Sequence, residues 1–172
     1  MTSITQLNRA LAKVQTQLEK LNFYTEAIAA VDVYLIPVST AYGYKWDGKR
    51  GFICIPRISL SKLKEKFFSG YPYASLADVV RHEYGHAVAD VFSKQVKTKE
   101  YKAAFKSTYS SKVSYDYDPE LFVSEYAATS SAEDFCETFM YYVKHMGKIP
   151  ERFKTPAIKE KWSFIKKLSA TI

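Results

Sequence analysis

The sequence predicts an α+β fold, in which an N-terminal helix and a small antiparallel sheet precede two helices that carry the candidate functional residues. Three patterns support this prediction: apolar residues at helical spacing before residue 22, strand-forming runs between residues 31 and 56, and long helical patterns after residue 75. The 172 residues contain no internal repeat and no linker composition. We therefore expect residues 1–172 to form a single domain.

The first half of the chain supplies the N-terminal helix and the sheet. The helix has an apolar stripe at spacings of three and four, made of Leu7, Leu11, Val14, Leu18 and Leu21. Two heptads are short for a coiled coil, so we expect this stripe to pack onto the domain. A short helix is expected within 25–30, and residues 31–38 (VDVYLIPV) are typical of a strand. Strands over 41–46 and 51–56 flank Asp47-Gly48-Lys49-Arg50, which resembles a hairpin connection.

The second half of the chain is predicted to be helical. Ser75 begins a helix through VVRHEYGHAVADVF, and Asp78 lies in its first turn. Residues 94–118 are polar and poorly periodic, so we expect a short helix and then a loop. We interpret Tyr109 to Tyr117 within it as a surface connection and not as a lid. Ser131 begins a further helix, AEDFCETFMYYVKHM, which ends at Gly147, and a last helix follows Pro156.

Composition and charge indicate the cellular compartment of the protein more clearly than its function. The net charge is +7, and the excess is spread along the chain, which favours a solvated basic face over a nucleic-acid or anionic partner. The lysines counted in this face are Lys94, Lys97, Lys99, Lys102, Lys106, Lys159, Lys161, Lys166 and Lys167. Cys54 and Cys136 are interpreted as buried free thiols, which favours a reducing compartment. Residues 1–21 lack the apolar core of a signal peptide, and no run is long enough to span a membrane, so we expect a cytoplasmic protein. A monomer is the default expectation for its oligomeric state.

The chemistry-bearing motif is His82-Glu83-Tyr84-Gly85-His86, an HExxH pattern. Residues four apart lie on one face of a helix, so both imidazoles can reach one metal ion. Glu83 is offset by one residue, which directs its carboxylate beside the ion, where it can take a proton from an activated water. The flanking residues are mostly apolar, and a buried His-Glu-His set is costly unless its polar groups are occupied. The motif therefore predicts a catalytic Zn²⁺ site.

A catalytic zinc ion needs a third protein ligand, which the motif does not supply. The pattern HExxHxxGxxH is absent, because Ala89 and Phe92 occupy its last two positions. His145 is interpreted as a cation at a helix C-terminus. Glu133 and Glu137 are better candidates, because they share one face of an apolar helix. One of them can bind the metal while the other holds a ligand histidine.

The run from Tyr126 to Phe139, placed after HEYGHAVAD, resembles the gluzincin metallopeptidases. It especially resembles the catalytic domain of anthrax lethal factor and the small bacterial proteins similar to it. The resemblance covers residues 75–145 and implies a zincin-like fold. It implies that His82, His86 and Glu133 bind zinc, that Glu83 is the general base, and that Tyr126 stabilises the oxyanion. Glu137 would orient a ligand histidine, for which we expect His82. Cys136 is a departure, since alanine is common at that position.

The predicted function is hydrolysis of peptide bonds in a protein or peptide substrate, as expected of a zinc endopeptidase. We expect the substrate to add a strand to an exposed sheet edge, and Gly51 to Pro56 is the candidate for that edge. The alternative, that this segment is a central strand, stays open. The alternative is a zinc-binding regulatory domain with little hydrolysis, whose basic face binds nucleic acid or a partner protein. A role as an effector exported without a signal is also left open by the sequence.

Overall fold

The predicted α+β class is confirmed. A computed structural model describes residues 1–37, 43–58, 62 and 75–171 of the chain. Over these residues the helices are α1 (Ile4–Lys20), α2 (Glu26–Ala29), α3 (Leu76–Val91), α4 (Lys99–Phe105), α5 (Ser131–Lys144) and α6 (Pro156–Ser169), and the strands are β1 (Asp32–Ile36), β2 (Gly43–Trp46) and β3 (Gly51–Pro56). Short 3₁₀ turns lie at Gln95–Lys97, Tyr126–Thr129 and Glu151–Phe153. The predicted strand ends at Val38 and Ala41 lie outside the described residues.

Helix α1 packs its apolar stripe into the core as predicted. Its N-terminus is fixed by a capping box, in which Ser3 and Gln6 each bind the other's backbone N–H. The stripe packs mainly against α3, and its fully buried members are Leu7, Val14 and Leu18. Near the C-terminal end of α1, the Gln17 side chain accepts a hydrogen bond from Arg81 of α3 at 2.9 Å. The N-terminal helix is therefore part of the framework that holds α3.

The sheet is mixed and not wholly antiparallel. Its strand order is β1-β3-β2: β2 and β3 form the predicted antiparallel hairpin, whereas β1 is parallel to β3. The prediction of Gly51 to Pro56 as an edge is therefore wrong, and the alternative, a central strand, is confirmed. The physical reason is that Ile53, Cys54 and Ile55 are all buried, so β3 needs cover on both faces. Pro56 is tolerated because it is the last residue of the strand.

Helices α3 and α5 form the centre of the molecule. Nearly every residue of α3 is buried, including His82 and Glu83 at 2% exposure each. The two helices approach closely at Gly85, where an added Cβ would lie 3.1 Å from the Cα of Cys136. Cys136 thus packs against a residue without a side chain, and both cysteines are buried free thiols as predicted.

Buried ion pairs connect the outer helices to this centre. Asp78 of α3 pairs with Arg81 at 2.7 Å and with Lys144 of α5 at 3.1 Å. Lys161 of α6 pairs with Asp134 of α5 at 2.6 Å and donates to the carbonyl of Leu121. Lys161 is only 3% exposed, so its assignment to a solvated basic face is wrong. Among the described helices, none is long and apolar enough to cross a membrane.

Candidate metal centre

Three side chains from two helices converge on one point. His82 and His86 lie one turn apart on α3, and Glu133 lies in the first turn of α5. One ligand atom from each of the three residues lies within 4.8 Å of the other two. Oε2 of Glu133 is 3.1 Å from Nε2 of His82 and 3.5 Å from Nε2 of His86. The structure thus brings the three predicted metal ligands together.

The surroundings of Glu133 fit a bound cation. Its Oε2 atom is buried and accepts no hydrogen bond from any described residue, although two imidazole nitrogens lie close to it. A buried carboxylate oxygen without a partner is costly, and a metal ion would remove that cost. Burial alone would raise the pKa of Glu133, but the neighbouring histidines outweigh it and hold the pKa well below its usual range. A donor set of two imidazoles and one carboxylate is typical of a catalytic zinc site.

The ring of His82 is oriented by Glu137. Nδ1 of His82 lies 2.8 Å from Oε1 of Glu137, which is 1% exposed. The hydroxyl of Ser124 donates to the other oxygen of that carboxylate at 2.7 Å. Burial lowers the pKa of His82, yet the Glu133 and Glu137 carboxylates raise it well above its ordinary value. Glu137 therefore contacts the histidine that the sequence analysis expected, and Ser124 is a supporting residue that the analysis missed.

The ring of His86 has a different neighbour, Tyr109. Nδ1 of His86 lies 3.3 Å from the hydroxyl of Tyr109, which belongs to the segment between α4 and the 3₁₀ turn at Tyr126. This segment is the predicted surface connection, and most of it is exposed, but Tyr109 packs against the core. Helical spacing could not reveal the contact, because Tyr109 lies outside any periodic element.

Glu83 follows His82 on α3, and its carboxylate is held by the edge of the sheet. Its Oε2 atom accepts a hydrogen bond from the backbone N–H of Tyr44 in β2 at 2.6 Å. The preceding residue, Gly43, has φ of +92°, and an added Cβ there would lie 3.4 Å from the same oxygen. β2 therefore fixes the direction of the Glu83 carboxylate.

Tyr126 lies against the face of His82. The two ring centroids are 5.6 Å apart, at an interplanar angle of 39°. Burial, followed by the charges of Glu133 and Glu83, raises the pKa of Tyr126 well above its ordinary value. Its hydroxyl thus stays protonated at neutral pH and can donate a hydrogen bond.

His145 lies away from the three ligands, at the C-cap of α5, and stacks on Tyr141 at 6.3 Å. Its predicted position at a helix C-terminus is correct. Its pKa, however, is lowered by burial and by the charge of Lys144, which disfavours the predicted cation.

A comparison with protein families agrees with this centre. A family model described as "Putative zinc-binding metallo-peptidase" matches residues 60–159. Searches of curated proteins and of solved structures found no match. The matched range covers more than half of the chain and contains His82, His86 and Glu133. The chain therefore belongs to this family of zinc-binding metallo-peptidases.

Proposed function

We propose that this protein is a zinc endopeptidase, in which His82, His86 and Glu133 hold the metal. The observation that carries the proposal is the convergence of three ligand atoms within 4.8 Å around a buried carboxylate oxygen that has no hydrogen bond among the described residues. Bound zinc would supply a Lewis acid that polarises a carbonyl and activates water at neutral pH. Resemblance to the gluzincins, and to the catalytic domain of anthrax lethal factor among them, supports the same assignment of roles.

Two further side chains would move protons and bind the developing charge. Glu83, held by the N–H of Tyr44, would accept a proton from the attacking water and deliver it to the leaving amine. Tyr126 would donate its hydroxyl hydrogen to the carbonyl oxygen as that oxygen gains negative charge. Glu137 would keep the ring of His82 in the orientation that presents Nε2.

The free edge of β2 is the proposed site of substrate binding. Among the described residues β2 pairs only with β3, and on its other edge the N–H of Tyr44 is already donated to Glu83. The remaining backbone groups of that edge would pair with an extended peptide. The contact between Tyr44 and Glu83 places this edge beside the proposed base. An endopeptidase requires that the peptide continue past the centre in both directions, and we propose that it does so along this edge.

We further propose that residues 1–172 act as one monomeric domain in the cytoplasm.

The experiment that tests the proposal is cleavage of a diverse peptide library, read by mass spectrometry. The purified protein is compared with Glu83→Gln and with a chelator-treated sample. Glu83→Gln is a matched control, because it keeps the shape of the side chain and all three ligands. We expect cleavage by the unaltered protein alone, and its return when zinc is added back to the chelated sample.

Cleavage that persists in Glu83→Gln would contradict the role of Glu83. Absence of cleavage in protein that holds about one zinc per chain would favour the alternative function, a zinc-binding regulatory domain. The net charge of +7 is the observation behind that alternative. Salt-dependent binding of nucleic acid would then identify the partner.

A further inference from the structure

We propose that Tyr109 is a positioning residue of the metal centre, whose hydroxyl holds the His86 ring with Nε2 facing the other two ligand atoms. This inference rests on the proposed zinc site. Nδ1 of His86, the nitrogen that lies 3.3 Å from the Tyr109 hydroxyl, is not the nitrogen that approaches Glu133. When Nε2 binds a metal, Nδ1 carries the ring proton and needs an acceptor. The phenol oxygen of Tyr109 is that acceptor.

Tyr109 is itself held firmly enough to orient another ring. Its ring packs edge-on against Tyr101 at 5.9 Å and against Phe135 at 6.0 Å. Phe135 lies on α5, two residues after Glu133. The ring of Tyr109 therefore packs against the same helix that supplies the carboxylate ligand. A hydrogen bond between Ser111 N–H and the Thr108 carbonyl closes a turn around it.

The Tyr109 hydroxyl can accept a hydrogen bond from His86. A phenol oxygen has lone pairs that accept while its own hydrogen points elsewhere, and this oxygen lies 3.3 Å from Nδ1 of His86. A ring that binds a metal through Nε2 donates from Nδ1, so the hydrogen bond would run from His86 to Tyr109.

The number of carboxylates around the centre explains why a neutral phenol suits the position next to His86. Glu133 and Glu137 both lie next to His82, and Glu83 follows it in the chain, so three carboxylates already surround the centre. A fourth carboxylate on His86 would add a desolvated negative charge without a matching cation. A neutral phenol orients the ring at no such cost. The two ligand histidines are thus supported differently, His82 by an anion and His86 by a neutral hydroxyl.

The test compares Tyr109→Phe with Tyr101→Phe. Both variants keep the aromatic ring and remove one phenol hydroxyl from the same cluster. The Tyr101 hydroxyl, however, contacts Ser131 and not a histidine. Zinc affinity is measured by competition with a chromophoric chelator, and the visible absorption of the cobalt(II)-substituted protein reports ligand geometry.

We expect Tyr109→Phe to weaken zinc binding about tenfold or more and to alter the cobalt spectrum, whereas Tyr101→Phe leaves both close to those of the unaltered protein. Equal zinc affinity and an unchanged spectrum in Tyr109→Phe would overturn the inference, as would an equal loss in both variants. Neither readout requires hydrolysis. Protein that binds zinc without cleaving peptides would refute only the proposed function, and protein that binds no zinc would overturn both.

Discussion

Replacement of Gly43 by alanine tests whether β2 positions the carboxylate of the proposed base, Glu83. Gly43 has φ of +92°, where an L side chain is strained, and its added Cβ would contact the Glu83 carboxylate at 3.4 Å. The left-handed backbone costs about 1–2 kcal/mol for a residue with a Cβ. In a chain of this length that loss lowers Tm by about 2–8 °C. Relief of the strain would move the N–H of Tyr44, which donates to Glu83.

The matched control is Gly48→Ala. Gly48 has φ of +93°, and an added Cβ would meet no atom within 4 Å. Thermal unfolding should therefore show similar losses for the two variants, and zinc affinity should be unchanged in both. Peptide cleavage should fall about tenfold or more only in Gly43→Ala, because a displacement of 1 Å near a reacting group can cost about 10²-fold. Equal cleavage rates in the two variants would refute the argument that β2 positions Glu83.

Four further outcomes are expected. Glu137→Gln should weaken zinc affinity by about 10–100-fold, because His82 loses an anionic partner at 2.8 Å; an unchanged affinity would contradict that role. Removal of zinc present at a hundredfold excess over Kd should lower Tm by about 5–11 °C, and an unchanged Tm would argue against the site. Tyr126→Phe should reduce kcat by about 10²–10³ at unchanged zinc affinity, as measured by steady-state kinetics. Lys161→Met should cost about 3–5 kcal/mol in urea unfolding, and adding Asp134→Asn should restore most of the loss if the pair at 2.6 Å is the cause.

Local patterns predicted the elements that carry the centre. Helix α3 and its two histidines follow from apolar periodicity and the i,i+4 spacing, and Ser75 caps α3 as predicted. The predicted cap of α5 is one residue too late, because Ser130 and not Ser131 accepts the hydrogen bond from the backbone N–H of Glu133. The hairpin of β2 and β3 follows from turn residues between neighbouring strands. In each case the partners are close in sequence, so the chemistry of a short segment is sufficient to predict the element.

The contacts that the sequence did not predict join distant segments. The choice of β3 as the central strand depends on where β1 docks, and Tyr44 meets Glu83 across 39 positions of the chain. Tyr109 reaches His86 from a segment with no periodicity that could indicate a direction. The burial of Lys161 depends on its pairing with Asp134, which only the packing of α6 on α5 provides. Charge counting could not distinguish this lysine from its exposed neighbours.

The close approach at Gly85 restricts how this family member can vary. Metal binding places no demand on two positions of an HExxH motif, yet at the second of them here, Gly85, an added Cβ would lie 3.1 Å from Cα of Cys136. Any larger residue at Gly85 would push α3 and α5 apart and would move the two histidines away from Glu133. The separation of α3 and α5, and with it the distance of Glu133 from the two histidines, therefore depends on a residue without a side chain that lies outside the set of ligands.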